Sequence, residues 1–504
     1  MRIPAPFSAA DRAAGRWRDA LTDPARRERA VLISLALYVL LWTVYGIVAK
    51  SSQDLHPDMT EVIAWSRDLS LGYFKHPPFA AWIVWLWFSV FPIAEWSYYL
   101  LAMLMPATAL WIVWRLSENY LDADKRIIGL ALLTFVPLFN FHALKFNVNT
   151  VLLPLWAATT LFFLRSVRTR SAICAAIAGI AAAGCMLGKY WSVFLLAGLM
   201  LAALIDKHRS SYLRSAAPWI TIAAGLIALA AHLVWLAGTD FAPFSYAILV
   251  HGEKPFAVAL VSALGYLAGS LAYVALPIII VLAISRPNTK VLGDMIWPHE
   301  TERRLAAAAF WAPFLLPVVV AVAAHATIDS LWSMPAFSLL PIVLLSSPAI
   351  TMRAADTRWV LIGAAVLPAI MLIVSPLVAI RAQYTGPAPG GAQTRLLSHE
   401  VERLWHQGTP RPLRFVGGDA DLAYGVITYA ADRPRALNQL PQPGAAMIVE
   451  NGLAVVCFAE DADCRRAAMA ADPSAKPVET DIVRNFMGIA GKPQRYMVLI
   501  IPPR

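Results

Sequence analysis

Between Asp54 and Pro78 the chain reads DLHPDMTEVIAWSRDLSLGYFKHPP, with four carboxylates (Asp54, Asp58, Glu61, Asp68), His56, His76 and Lys75 in one stretch. From Asp58 to Trp65 the apolar and aromatic positions fall three to four apart, the spacing of a helix lying at an interface. The prolines of HPP stop one helix and start the next, because proline lacks an amide donor and suits a first helical turn. A carboxylate held at headgroup level gains base strength by desolvation, provided a neighbour keeps it ionised. The chemistry this suggests is proton abstraction beside a bilayer. Any one of Asp54, Asp58, Glu61 and Asp68 could serve, and composition and spacing leave the choice open.

A bilayer is implied by the rest of the chain. It has 504 residues, 59% of them hydrophobic and 15% charged, against about 25% charged residues in soluble domains. Apolar runs recur at roughly 30–49, 96–116, 127–140, 149–165, 172–187, 191–205, 218–238, 257–284, 307–324, 331–349 and 359–380, the pattern of a polytopic α-helical membrane protein. Residues 77–92 form a further run that is read as re-entrant or interfacial, inside an outer loop 51–95. With that reading, of the lysines and arginines up to residue 380, 22 fall on the side of the N-terminus and six on the other. The rule that positive loops stay inside then puts residues 1–29 in the cytoplasm. The formal charge of +10 is accounted for by these loops, so nucleic acid is not an expected partner.

The six outer basic residues include Lys75, Lys145, Lys189 and Lys254, each beside an apolar run. A lysine at a helix end commonly snorkels to the interface. Several together on a face poor in positive charge could instead hold a phosphate. Lys145 lies in ALKFNVNT with Asn147 and Asn149, which could cap a helix or donate to a sugar; Lys189 and Tyr190 lie in the tight GKYW turn. No HExxH-type spacing, Walker A loop, GxGxxG after a strand or GxSxG is present.

After residue 380 the composition changes. Residues 381–394 read as a Gly/Pro-rich linker and 395–504 as a small α/β domain, with a helix at SHEVERLWHQ and strands at PLRFVGG, AMIVENG, LAVVCFA and YMVLIIPP. Cys457 and Cys464 flank FAEDAD. They can close a disulfide if the loop turns back, or remain a buried strand cysteine and a free one.

The stretch 58–82, DMTEVIAWSRDLSLGYFKHPPFAAW, resembles the first-loop signature of lipid-linked-sugar glycosyltransferases of the GT-C fold. This superfamily includes protein O-mannosyltransferases and the aminoarabinose transferases of lipid A. Trp65-Ser66, Leu71-Gly72-Tyr73 and His76-Pro77-Pro78 match in register, which places Asp58 on the family's catalytic aspartate. NVNTVLLPLW (147–156), LGKYWSVFLLAG (187–198) and SLWSMPAFSLLP (330–341) are similar to later family segments, so the likeness spans about the first 350 residues. Met59 and Asn149 stand where the family has carboxylates.

The resemblance implies a GT-C transmembrane domain at 30–380 with about 11–13 helices and a periplasmic α/β domain, in a bacterial inner membrane. It implies a polyprenyl-phosphate sugar donor and an envelope acceptor: lipid A or lipopolysaccharide, another glycan, or a protein hydroxyl. Asp58 would be the base, with Asp54 and Glu61 as secondary candidates, and Lys75, His76, Lys145, Asn149, Lys189 and Tyr190 would be the donor-phosphate and substrate contacts. The family leaves room for a divalent metal, although no metal site follows from the spacing here. The alternative class is a transporter or flippase for an anionic lipid or solute. It would need ionisable residues within spans and repeated broken helices, and no repeat is visible.

Overall fold

The computed structural model describes residues 5–386, 393–437 and 445–504. Within the linker 381–394, residues 387–392 lie outside the described residues, and 381–385 continue the helix Ala354–Thr385 instead of forming a linker. The chain forms two compact units, one of Met1–Thr43, Phe74–Phe79 and Tyr99–Met371, the other of Val44–Tyr73, Ala80–Tyr98 and Leu372–Arg504.

Seven described helices are long and apolar enough to cross a membrane: Arg27–Ala49, Glu95–Ser117, Val148–Thr169, Ala217–Gly238, Phe256–Ser285, Thr301–Ala323 and Ala354–Thr385. Five shorter apolar helices are Phe79–Phe88, Ala172–Gly188, Tyr190–Ile205, Ala242–His251 and Ser330–Leu345. The ten residues of Phe79–Phe88 extend only about 15 Å, half of a hydrocarbon core.

Three segments differ from the apolar pattern. The run 127–140 is not one helix: Ala123–Leu133 ends at Thr134, and Pro137 opens a 3-10 turn, Pro137–Phe139. A proline there can neither donate the helical hydrogen bond nor tolerate the preceding turn. The run 331–349 is likewise broken, as the 3-10 segment Ser330–Leu339 and the short helix Leu340–Leu345, each carrying a proline. The helix Ala242–His251, opened by Pro243, falls where no apolar run was expected.

Small residues bring helices of the first unit together. A Cβ on Gly179 would lie 2.2 Å from the Thr221 carbonyl oxygen, and one on Gly198 would lie 2.5 Å from Pro313. Helices that associate without a hydrophobic drive need such close backbone approach. Thr221 adds a hydrogen bond from its hydroxyl to the Ala175 carbonyl at 3.0 Å.

In the second unit a five-stranded sheet has the order β2-β1-β3-β7-β4, with β1 Phe415–Gly418, β2 Arg435–Ala436, β3 Leu453–Phe458, β4 Val478–Ile482 and β7 Gln494–Ile501. β1 pairs parallel with β2 and β3, and β7 runs antiparallel between β3 and β4. A hairpin of β5 (Asn485–Phe486) and β6 (Ile489–Ala490) stands apart. AMIVENG forms the helix Ala445–Asn451 instead of a strand. Short apolar runs do not distinguish the two, and Gly452 at φ +72 ends it as a left-handed helix stop. Cys457 and Cys464 are joined by a disulfide, their Cα atoms 5.8 Å apart.

One core of this unit includes Ala64 with Leu397, Val401, Trp405, Tyr424, Val426 and Tyr496. The helix Pro57–Ser66 thus packs into the same apolar core as the sheet, chiefly against the helix Ala420–Tyr429. Of the loop 51–95, residues 51–73 and 80–95 belong to the same unit as the α/β fold.

Candidate active site

The sequence His56-Pro57-Asp58 builds a helix start. His56 is the N-cap, Pro57 occupies the first turn, and Asp58 sits in that turn. His56 Nδ1 accepts from the Asp58 amide at 3.1 Å. The same nitrogen lies 3.5 Å from Asp58 Oδ1. Because its lone pair already takes the amide proton, this tautomer cannot also donate to the carboxylate, so the amide bond is the operative contact. The positive end of the helix dipole favours a carboxylate at this position.

The far end of the helix explains the Trp-Ser and Leu-Gly-Tyr residues. The Tyr73 ring stacks on buried Trp65 with centroids 5.1 Å apart. Its hydroxyl donates to the Trp65 carbonyl at 2.8 Å, and the Asp68 carbonyl lies 3.2 Å away. Burial pushes this phenol up to about 12. Trp82 Nε1 donates to the Ser70 carbonyl at 2.9 Å, and Tyr98 donates to the Met59 carbonyl at 3.1 Å.

The four carboxylates of the stretch divide sharply. Asp54, with a side chain only 3% exposed, pairs with Arg484. It also accepts from the Arg395 amide at 3.0 Å, with the Thr394 hydroxyl at 3.5 Å. Asp68 pairs with Arg435 at 2.9 Å. Glu61 is 9% exposed. Asp58 is 37% exposed at its side chain, and every other residue of its helix after it is buried.

In the first unit the GKYW turn and the start of Val148–Thr169 meet. Gly188 ends one helix where a Cβ would lie 2.8 Å from Leu152, and Lys189 follows in extended conformation. Lys189 Nζ donates to Asn149 Oδ1 at 2.9 Å and lies 4.3 Å over the ring of Trp332. Trp332 also meets Trp191 and His251 edge-on, at 4.9 and 5.1 Å. Asn147 is the N-cap, closing a capping box with Thr150, so of the two asparagines it is Asn149 that meets Lys189. Tyr190 shares a hydrogen bond with His232 at 3.0 Å.

Lys145 precedes the same helix start, where its carbonyl accepts from the Thr150 hydroxyl at 3.1 Å. Burial first, and then the Lys145 charge, push the His142 imidazole down, with Asp329 opposing them. Burial first, and then the Lys189 and Lys254 charges, push the His251 imidazole down, with Asp329 again opposing them. Lys75 and His76 belong to the segment Phe74–Phe79 of the same unit, where Phe74 meets Tyr246 edge-on at 5.6 Å.

Trp332, His232 and His251 were not legible as site members. His232 had a signal, since an ionisable residue inside an apolar span is seldom incidental. Among the described residues, no three or more His, Cys, Asp or Glu are grouped so as to hold a metal ion.

The whole architecture has solved counterparts. It superposes on ArnT from Cupriavidus metallidurans in the apo state with a TM-score of 0.62, covering 93% of this chain and 97% of that one at 11% identity. This chain has the GT-C fold. The same ArnT bound to undecaprenyl phosphate superposes with a TM-score of 0.58 at 13% identity, over the same shares of the two chains. Residues 75–235 of this GT-C chain match the dolichyl-phosphate-mannose-protein mannosyltransferase family. The lipopolysaccharide core galacturonosyltransferase RgtB of Rhizobium johnstonii is 26% identical over 335 residues, 64% of this chain and 66% of that protein. The aligned region thus falls just short of two thirds of that relative. The GT-C chain is a multi-pass membrane protein, with Lys145 and Lys189 at the start of the helix Val148–Thr169.

Proposed function

We propose that this protein is a glycosyltransferase that moves a sugar from a polyprenyl-phosphate donor to a hydroxyl of an envelope acceptor, with Asp58 as general base. The observation that carries the assignment of the base is the place of Asp58, which of the four carboxylates is the one in the first turn of the helix Pro57–Ser66, with its side chain 37% exposed. Asp54 and Asp68 pair with arginines, and Glu61 is 9% exposed. The likeness to a fold solved with undecaprenyl phosphate supports the donor class. The likeness to a lipopolysaccharide core galacturonosyltransferase supports a lipopolysaccharide or lipid A acceptor ahead of another glycan or a protein.

In this reading Asp58 takes the proton of the acceptor hydroxyl as its oxygen attacks the anomeric carbon. The bond from that carbon to the phosphate oxygen breaks, and polyprenyl phosphate leaves with the electron pair. The leaving group is already an anion, so fixed cations lower the barrier without a proton being supplied. Lys189 is the first of these, preorganised by Asn149 and Trp332, and Lys145 the second. Lys75, His76 and Tyr190 are assigned to substrate contacts. The N-terminus is assigned to the cytoplasm and the α/β domain to the periplasm.

The test is turnover by the purified full chain with undecaprenyl-phosphate galacturonic acid, undecaprenyl-phosphate hexoses and undecaprenyl-phosphate aminoarabinose, each offered with deacylated or intact lipid A-core. Products are read by mass spectrometry. A glycosylated acceptor that disappears with Asp58→Asn supports the reading. Transport of the lipid across a vesicle without glycosyl transfer would replace it with a flippase.

A further inference from the structure

The segment that carries Asp58 is held at both ends by the α/β fold. At its start, Asp54 is buried against Arg484 and takes the Arg395 amide as well. The next residue is fixed too: the Leu55 amide donates to the Tyr429 hydroxyl at 2.9 Å. That hydroxyl lies 3.4 Å from Glu95 Oε1, Glu95 pairs with Arg395, and the Arg395 guanidinium lies 4.6 Å over the Tyr429 ring. At the other end, Arg67 donates to the Pro434 carbonyl at 2.8 Å, and Asp68 pairs with Arg435. Burial pushes the Arg67 guanidinium down to about 10. Between these ends the helix lies on Ala420–Tyr429, with Ala64 in the common core.

We infer that the C-terminal α/β fold serves as the jig for the base, with Arg484 as the positioning residue that fixes the entry to the Pro57–Ser66 helix through Asp54. This rests on the reading of Asp58 as the base. The physical argument is that a carboxylate on a short helix has no accuracy of its own. Ten residues alone are marginally helical in water, and a misplacement of about 1 Å can cost on the order of a hundredfold in rate. The segment is therefore set by what grips it. The grip at its start is the buried one, with the Arg484 and Asp54 side chains 16% and 3% exposed, whereas the Arg435–Asp68 pair is 54% and 39% exposed. Arg484 is itself anchored, because its carbonyl accepts from Gln383 Nε2 at 2.7 Å and from the Gly491 amide at 2.8 Å. Those backbone bonds survive replacement of its side chain.

Arg484→Gln, Arg484→Lys and Tyr429→Phe are made in the full chain and compared in detergent by hydrogen exchange and by turnover of undecaprenyl-phosphate galacturonic acid. In Arg484→Gln, exchange of the 55–66 amides rises at least about tenfold while that of β3 and β7 is unchanged. Its kcat falls about ten- to a hundredfold with donor KM altered less than about twofold, the signature of lost geometry at the reacting centre. Arg484→Lys restores most of both. Tyr429→Phe, which keeps the packing and every charge, gives the same split more weakly. It carries the test if Arg484→Gln does not fold. Unchanged exchange at 55–66 in a folded variant overturns the inference, and so does raised exchange with unchanged kcat. Absence of turnover by the unaltered chain, or turnover that survives Asp58→Asn, would instead sink the functional reading, and the exchange measurement would still decide whether Arg484 holds the segment.

Discussion

Lys189 Nζ lies 2.9 Å from Asn149 Oδ1 and 4.3 Å above the Trp332 ring, so one ammonium is held by a neutral amide and an aromatic face. The amide oxygen orients the N–H groups of the ammonium, and the ring face attracts its charge.

Lys189→Ala is therefore expected to weaken donor use by roughly 1.5–3 kcal/mol, the scale of a hydrogen bond to a charged group. Asn149→Asp keeps the shape but puts a full negative charge against the ammonium, and donor KM should rise by about tenfold. Steady-state kinetics with the donor varied at fixed acceptor checks both. An unchanged donor KM and kcat in Lys189→Ala returns this residue to the snorkelling class.

Asp58→Asn preserves the side-chain size and the His56 cap, which uses the Asp58 backbone amide rather than its carboxylate. Turnover is expected to fall by at least about a hundredfold to ten-thousandfold, the usual share of general-base catalysis. Membrane insertion and the exchange pattern should stay as they were. Near-normal turnover would remove Asp58 from the chemistry.

Topology can be read from exposed positions. Ser211 and Glu253 are both exposed, the first in the predicted inner loop after Tyr190–Ile205, the second after Ala242–His251 in a predicted outer loop. A membrane-impermeant maleimide should label Glu253→Cys in spheroplasts and Ser211→Cys only after permeabilisation. The reverse pattern would invert the assigned orientation.

The Cys457–Cys464 bridge closes a loop with a sequence separation of 7. A loop that short stabilises by only about 2–3 kcal/mol. A double Cys→Ser variant should fold and retain turnover with a lower Tm by calorimetry. Thiol titration of the unreduced, denatured native chain should find two thiols, those of Cys174 and Cys185; four would refute the bridge.

Some of this was settled by the chain as a string. A membrane protein follows from the length of the apolar runs alone, because a spanning helix must satisfy its backbone internally and meets only lipid outside. The helix at Asp58 follows from His56-Pro57-Asp58 and the three-to-four spacing after it. The strands at β1, β3 and β7 follow from β-branched runs between turn residues. These are local effects, settled within a few residues. Where local forces balance, the string misleads: AMIVENG reads as a strand and folds as a helix, and 127–140 reads as one run and breaks at Pro137.

What only tertiary structure decided were pairings across hundreds of residues. Asp54, Asp58, Glu61 and Asp68 are equivalent as letters. They separate because Arg484 and Arg435 reach two of them and packing buries a third. Asn147 and Asn149 differ by one helical register, which sends one to its own helix start and the other to Lys189. A carboxylate or an amide acquires its role from the groups that desolvate or engage it, and those groups are chosen by the fold.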